Sequence, residues 1–205
     1  MNEDNKPDII TTNAGSKTIG IYLNNGGGIF ALPINYSTGN EPQHLVAADV
    51  NGDSKVDIIV ANRWANNIGV FLNNGNGMFA PQVTYSAGSN PQSLAAADVN
   101  GDSKIDIIVA NVGSNNVGVF LNNGDGTFAP QATYSTGSNS APYSVTTADI
   151  DGDSKIDIIV ANSGSNDVGV LLNNGNGAFA SQVTYSTSSN PRSLAAADVN
   201  GDSKI

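Results

Sequence analysis

The chain has 205 residues, a net charge of −10 and no cysteine, which excludes disulfides and thiolate metal sites. This length is enough for one domain with its own hydrophobic core, and the acidic balance argues against a nucleic-acid partner, which needs a basic face. No apolar run reaches the length of a membrane span and no signal-peptide pattern precedes the first repeat, so we expect no membrane insertion.

Internal repeats organise the sequence. The stretch Asp-Val-Asn-Gly-Asp-Ser-Lys-Val-Asp at residues 49–57 recurs with small changes at 98–106 and 149–157, and it begins again at Asp198. Its second half also opens the chain at residues 4–8, so we expect a fragment of a longer protein. The approximate repeats of the single domain, residues 1–205, are 1–48, 49–97, 98–148 and 149–197, followed by 198–205 as a truncated or ring-closing loop.

Each repeat contains four short segments in chain order. In the repeat that contains residue 106, the first segment (93–99) is rich in small residues. The second segment (106–111) is a β-branched run typical of a strand buried on both faces. The third (117–122) alternates apolar residues, and the fourth (128–134) follows Asn-Gly and Asp-Gly pairs that predict a tight turn. No segment has a useful helical stripe, so the chain is predicted to be all-β.

Four antiparallel strands every 49 residues or so, as from Asp49 to Asp98, predict the blades of a β-propeller. The small first segment suits the crowded axis. The fourth segment carries Pro33, Pro81 and Pro130, and proline is confined to edge strands or strand starts because it lacks an N–H donor. A parallel β-helix is the alternative, but its shorter turns fit this period poorly.

The two ends of the chain hold complementary parts of a blade. Residues 1–37 supply strands two to four, and residues 193–199 supply a first strand. The sequence therefore predicts either a four-bladed ring closed by pairing of these ends or four consecutive blades of a larger propeller. The two additional residues of the third repeat, within 138–142, mark an exposed loop. An open arc would expose apolar blade faces, and we would then expect a homodimer.

The acidic loop has the oxygen spacing of a calcium site, because calcium takes 6–8 oxygen ligands in flexible geometry. Side-chain oxygens occupy positions 1, 3, 5 and 9, a glycine at position 4 permits a tight turn, and the backbone carbonyl at position 7 completes the set while its lysine side chain points to solvent. About one Ca²⁺ per repeat is expected. The predicted ligands are Asp49, Asn51, Asp53, Lys55 and Asp57; Asp98, Asn100, Asp102, Lys104 and Asp106; Asp149, Asp151, Asp153, Lys155 and Asp157; Asp198, Asn200, Asp202 and Lys204; and Asp4 and Asp8.

An EF-hand, a magnesium or zinc site and a turn without metal each fit the loop less well than calcium does. An EF-hand needs glycine at position 6 and Glu at position 12, where this sequence has Ser54 and Val60. Magnesium demands stricter octahedral geometry, and zinc prefers nitrogen or sulfur. A turn without metal would have to gather several carboxylates without a compensating cation, which is costly.

The Asp-x-Asn/Asp-Gly-Asp-x-x-x-Asp loop followed by Ile-Ile-Val-Ala-Asn resembles the FG-GAP/VCBS repeat family, whose blades occur in integrin α-subunits and in secreted surface proteins. The resemblance implies a calcium-bound propeller for adhesion or ligand recognition, located outside the cell or at its surface, with the ligands at the loop positions given above. The repeats are shorter than those of integrins, and the chain holds fewer blades than the seven that are common in such propellers.

A protein or glycan ligand is expected on the face opposite the calcium loops, because the loops there differ between repeats. The candidate residues are Arg63, Trp64, Tyr143 and Arg192, although neutral variation of exposed loops would look similar. The single histidine, His44, is expected to be a loop variant, and no Ser/His/Asp set can form. We therefore expect a non-catalytic protein. The alternatives are a carbohydrate-binding, lectin-like propeller and an accessory or scaffold domain of a polysaccharide-degrading enzyme.

Overall fold

A computed structural model describes residues 1–201, which form short antiparallel strands and a few single turns of 3-10 helix. We number the four sheets in chain order as blades 1 (residues 1–37), 2 (42–86), 3 (91–135) and 4 (142–186). Blade 1 holds β1 (Ile9–Asn13), β2 (Thr18–Tyr22), β3 (Asn24–Gly26), β4 (Ile29–Phe30) and β5 (Ile34–Ser37). Blade 2 holds β6 (Pro42–Ala48), β7 (Asp57–Asn62), β8 (Asn67–Phe71), β9 (Asn73–Gly75), β10 (Met78–Phe79) and β11 (Val83–Ser86). Blade 3 holds β12 (Pro91–Ala97), β13 (Asp106–Asn111), β14 (Asn116–Phe120) and β15 (Ala132–Ser135). Blade 4 holds β16 (Pro142–Ala148), β17 (Asp157–Asn162), β18 (Asp167–Leu171), β19 (Asn173–Gly175), β20 (Ala178–Phe179) and β21 (Val183–Ser186).

The strand order within the blades confirms the predicted all-β blade architecture. Blades 2, 3 and 4 are four-stranded antiparallel sheets in which the first, second, third and fourth strands are neighbours in that order. The first strands β6, β12 and β16 pack side by side, as expected for strands nearest the axis. The fourth strand lies at the outer edge of each sheet. Blade 1 is a three-stranded sheet of β1, β2 and β5.

The hydrophobic core lies between neighbouring blades, and for this reason the second strands are apolar along most of their length. Every residue of β7, β13 and β17 is buried. Between blades 2 and 3, Ile59 and Val70 pack against Val109 and Phe120 in one cluster. Equivalent clusters fill the junctions between blades 1 and 2 and between blades 3 and 4.

Two details of the predicted segments are wrong. The fourth segment is divided: Phe128 forms an isolated bridge with Asn122, and the edge strand starts only at Ala132. Pro130 lies between the two parts, because the chain must leave the small hairpin before it joins the sheet; Pro33 and Pro81 likewise precede β5 and β11. The insertion in the third repeat is only partly exposed, since Ser140 is buried and its hydroxyl hydrogen-bonds to that of Thr136 at 2.7 Å.

The predicted first strand at residues 193–199 is also wrong. Residues 190–198 have no regular secondary structure, and within residues 1–201 β1 pairs only with β2. A strand needs a hydrogen-bonding neighbour, and neither end of this arc of blades provides one to the other. No ring closure is therefore seen in the described part of the chain.

Candidate metal centre and recognition face

The acidic loops fold around the carboxylate at position 1. Asp49 accepts hydrogen bonds from the backbone N–H groups of Gly52 at 2.8 Å and Ser54 at 2.7 Å. Gly52 adopts φ 73°, a left-handed conformation that glycine takes without steric cost. The same bonds form around Asp98, Asp149 and, for Gly201, Asp198. The local sequence thus encodes the loop.

The carboxylate at position 9 is buried and joins three parts of a blade. One oxygen of Asp57 accepts the N–H of Val50 at 3.0 Å, and the other accepts the N–H of Asn73 at 2.8 Å. Burial raises the pKa of the Asp57 carboxyl above its ordinary value, although these two backbone hydrogen bonds act in the opposite direction. Burial raises the pKa of Asp106 in the same way. A cation close to such a carboxylate would stabilise its charged form.

Three carboxylates converge in the loop of blade 4. Ligand oxygens of Asp149, Asp151 and Asp153 lie within 4.8 Å of one another. The potential metal ligands in each loop are carboxylate, amide and backbone carbonyl oxygens, which are the ligand atoms that Ca²⁺ prefers. The residues therefore fit a hard cation. Asp202 and Lys204, which we also predict as ligands, lie outside the described residues.

The loop lysines remain partly exposed to solvent, and each also folds back onto the aspartate at position 5. The ammonium group of Lys55 lies 3.0 Å from Asp53, that of Lys104 lies 3.4 Å from Asp102, and Lys155 pairs with Asp153. A lysine two residues after an aspartate is long enough to fold back onto it. The hydrogen bond from Lys55 lowers the pKa of Asp53, and the same bond raises the pKa of Lys55. Each lysine thus forms a solvent-exposed ion pair with the carboxylate at position 5.

The N-terminal half-loop has the same arrangement. One oxygen of Asp8 accepts the N–H of Asn24 at 2.8 Å, and the other is paired with the amino group of Met1 at 3.1 Å. Met1 therefore occupies the place of Val50 in the complete loop. Asp4 is paired with Lys6 at 3.2 Å. This half-loop contains every position except the first.

Sequence reasoning missed an asparagine at the end of each third strand. The side-chain amide of Asn122 donates to the carbonyl of Ile105 in its own blade at 2.8 Å and to the carbonyl of Val50 in the preceding blade at 2.9 Å. Its own N–H donates to Asp106 at 2.8 Å. The signal was the recurrence of this asparagine in every repeat. The equivalents are Asn24, Asn73 and Asn173.

On the opposite face, a cavity of about 410 Å³ lies between blades 1 and 2. Trp64 lines it and is 66 % exposed. Its other lining residues are Ala14, Gly15, Lys17, Asn40 and Glu41. Arg63 is paired with Glu41 at 3.7 Å. Two predicted recognition residues, Arg63 and Trp64, are thus brought to one place together with a lysine and a glutamate.

Lys17 changes the hydrogen bonding at this junction. Where the chain passes from blade 3 to blade 4, the side-chain oxygen of Asn115 accepts the N–H of Ala141 at 3.0 Å. Asn66 and Asn166 make the equivalent bonds. Lys17 stands at this position in blade 1 and has no acceptor atom, so the bond cannot form. The cavity lies where this tie between blades is missing.

The other predicted recognition residues lie elsewhere. The guanidinium of Arg192 stands 4.9 Å from the centre of the Tyr143 ring, a cation–π contact. His44 is not in a loop but in β6, where its Nδ1 accepts the N–H of Leu94 at 3.2 Å. Burial lowers the pKa of His44, because it disfavours the charged form of the imidazole.

The FG-GAP-like repeat model matches residues 1–60, 49–109, 98–160 and 149–205. The chain belongs to the FG-GAP-like repeat family. No curated protein matches its sequence. Within the described residues of this FG-GAP-like chain, no helix is long and apolar enough to cross a membrane.

Several solved structures are similar to this FG-GAP-like chain. A lectin from Agrocybe aegerita, which recognises non-reducing terminal N-acetylglucosamine, is 26 % identical with a TM-score of 0.56, over 86 % of this chain and 52 % of the lectin. A periplasmic gluconolactonase from Pseudomonas aeruginosa is 16 % identical with a TM-score of 0.66, over 93 % and 54 % of the two chains. A Lactobacillus plantarum protein is 14 % identical with a TM-score of 0.65, over 89 % and 54 %. The chain thus spans about half the length of these structures.

Proposed function

We propose that the chain is a non-catalytic, calcium-binding propeller module for adhesion or ligand recognition outside the cell. The separation of its two faces carries this proposal. The acidic loops repeat the same oxygen donors on one face. The residues that depart from the repeat, Lys17, Glu41 and Trp64, gather around a cavity on the other face. The first face is therefore suited to holding ions and the second to binding a partner.

The carboxylates gathered in the loop of blade 4 support the ion-binding part of the proposal. The side chains of Asp149, Asp151 and Asp153 supply the oxygens, with the carbonyl of Lys155 completing the loop and Asp157 joining it to β17. A bound Ca²⁺ supplies the positive charge that offsets repulsion among these carboxylates. In the chain as described, Lys155 provides part of that charge. Calcium would therefore compete with the lysine and tie the first and second strands of each blade together.

Thermal unfolding with and without calcium tests the ion-binding part. Extracellular calcium modules bind with Kd of about 10⁻⁴–10⁻³ M, so about 1 mM calcium stabilises by about 1.4 kcal/mol per site at the tight end of that range. With three complete loops occupied, we expect a rise of about 8 °C or more in the midpoint relative to EGTA.

Titration calorimetry of variants then locates the ions. Asp153→Asn is expected to remove one binding event, whereas Asp125→Asn, outside the loops in an exposed hairpin, is the matched control and is expected to keep them all. An unchanged midpoint in calcium would contradict the proposal.

A glycan is the second candidate for the ligand of this module. The cavity supplies an exposed indole, on which the apolar face of a sugar can stack, beside the amide of Asn40 and the charged groups of Lys17 and Glu41. The similarity to a lectin from Agrocybe aegerita supports this choice.

A glycan array that includes terminal N-acetylglucosamine tests the sugar hypothesis. We expect Trp64→Ala to lower binding at least tenfold, because the stacking surface is lost. Met78→Ala removes a side chain of similar exposure, 59 %, from a hairpin on the opposite face and is expected to bind normally. Absence of glycan binding by the unaltered chain would leave a protein ligand as the candidate.

A further inference from the structure

Two residues at the cavity between blades 1 and 2 occupy backbone positions that suit other residue types. Lys17 and Glu41 adopt left-handed conformations, with φ 56° and φ 54°, which asparagine tolerates better than lysine or glutamate does. The other blades have asparagine at the position of Lys17, and two of the three other copies have it at the position of Glu41. These asparagines are Asn66, Asn115 and Asn166 for the first position, and Asn90 and Asn190 for the second. The backbone at the cavity is therefore strained where the repeat is not.

Trp64 also departs from the repeat at a position where space is short. Its equivalents in blades 3 and 4 are Gly113 and Gly164. A side chain at Gly113 would come within 2.8 Å of the Ser89 hydroxyl, and one at Gly164 would collide with the carbonyl oxygen of Asn139. Blade 2 gives up this close contact and has an exposed indole there instead.

The cavity does not come from poor packing between the two blades. Beneath it, Tyr36 of blade 1 packs edge-on against Phe71 and Phe79 of blade 2, with ring centres 6.2 Å and 5.8 Å apart. Ile19 and Ile58 are fully buried in the same junction. Only the loops above this core differ from the other junctions. Strain that a well-packed frame maintains at one place is typical of a functional site.

The charges around the cavity favour an anion. Within residues 1–201, every other lysine or arginine contacts a carboxylate or, in the case of Arg192, the ring of Tyr143. Lys17 is exposed and forms no such pair within that range. The carboxylate of Glu41 is balanced by Arg63 at 3.7 Å. The ammonium of Lys17 is thus an excess positive charge in a chain whose net charge is −10, and it attracts negatively charged ligands.

We propose that this cavity binds a sugar that carries an acidic group, either a carboxylate or a sulfate ester. Lys17 pairs with the acidic group, the indole of Trp64 stacks on the apolar face of the ring, and the amide of Asn40 hydrogen-bonds to hydroxyl groups. The volume of about 410 Å³ lies within the range of small-molecule sites. This inference rests on the proposed role of the module in glycan recognition, and it adds the class of glycan.

An array of matched glycans tests the charge preference. Each backbone is present in a neutral, a uronic-acid and a sulfated form, so that the two acidic forms distinguish a carboxylate from a sulfate. We expect at least one acidic form to bind at least tenfold more tightly than its neutral parent. Added NaCl is expected to weaken only the binding of the acidic form, because salt screens exposed charges.

The outcomes of the array separate this inference from the proposed function. Equal binding of neutral and acidic forms would overturn the acidic ligand and leave glycan recognition standing. Binding of no glycan would overturn both, whereas the calcium-binding part is measured separately by thermal unfolding.

Removal of single charges tests the role of Lys17. Lys17→Gln is expected to lower the affinity for the acidic glycan at least tenfold and to leave the affinity for its neutral parent unchanged. Lys6→Gln is the matched control, because it removes the same charge from the acidic face, where Lys6 pairs with Asp4 at 3.2 Å. This control is expected to bind normally. An equal loss in both variants would assign the effect to net charge and would overturn the site.

A second variant separates ligand binding from a structural role. Lys17→Asn restores the residue of the other blades, which suits the left-handed backbone and supplies the missing acceptor. It is expected to raise the midpoint of thermal unfolding and to lower the binding of the acidic glycan at least tenfold. Because the variant is expected to be more stable, unfolding cannot account for that loss. A stabilised variant that still binds the acidic glycan normally would contradict the proposal.

Discussion

The two faces of the molecule differ in how strictly they follow the repeat. On the acidic face, blades 2, 3 and 4 repeat the buried aspartate at position 9 and the asparagine that follows the third strand, and the backbone N–H of this asparagine donates to the aspartate each time. On the opposite face, the asparagine tie between blades is replaced at Lys17, and a cavity lies beside Trp64. The repeated residues hold the blades together, and the departures from the repeat create a place for a ligand.

The largest effect on stability is expected from removing the buried aspartate at position 9 of an acidic loop. Asp106→Ala removes the acceptor of the N–H groups of Val99 and Asn122, and leaves both donors buried. The loss is expected to be about 3 kcal/mol in the free energy of unfolding, measured by chemical denaturation in EGTA. Asp102→Ala, in the exposed part of the same loop, is the control. A similar loss for both would show that Asp106 is no more structural than the rest of the loop.

A smaller effect on stability is expected from restoring the asparagine hydrogen bond that is missing between blades 1 and 2. Lys17→Asn supplies the missing acceptor for the N–H of Glu41 and is expected to stabilise the fold by about 1 kcal/mol, the usual net value of a hydrogen bond. The reciprocal change, Asn115→Lys, removes the bond to Ala141 and is expected to destabilise by a similar amount. Thermal unfolding of both variants measures the difference. Changes of the same sign in the two proteins would refute this role of the tie.

The smallest effect concerns pH and His44. Burial lowers the pKa of this histidine in the folded chain, so below its ordinary pKa of about 6.5 the unfolded chain takes up a proton more readily. Stability is therefore complete above about pH 6.5 and declines as the pH falls through that value towards the folded pKa. The equivalent residue in blade 3 is Ser93, whose hydroxyl accepts the N–H of Val145 in blade 4. His44→Ser is therefore expected to remove this part of the pH dependence. A slope between pH 7 and 5 that is identical in both proteins would contradict it.

The sequence by itself determined the elements that depend on neighbours along the chain. The β-branched runs predicted β7, β13 and β17, the Asn-Gly pairs predicted the hairpins, and the glycine at position 4 predicted the left-handed turn that Gly52 adopts. Each of these follows from local dihedral preferences and from the period of apolar residues. Repetition then established the blade and its strand order.

Tertiary structure alone decided the contacts between residues that lie about one repeat or more apart. The bond from Asn122 to the carbonyl of Val50, the bond from Leu94 to His44, and the cavity that joins Lys17 to Trp64 each span two blades. No local pattern encodes them, because they depend on how one packed sheet faces the next. For the same reason residues 193–197 have the sequence of an inner strand but not its structure. A strand forms only where another backbone offers its hydrogen bonds.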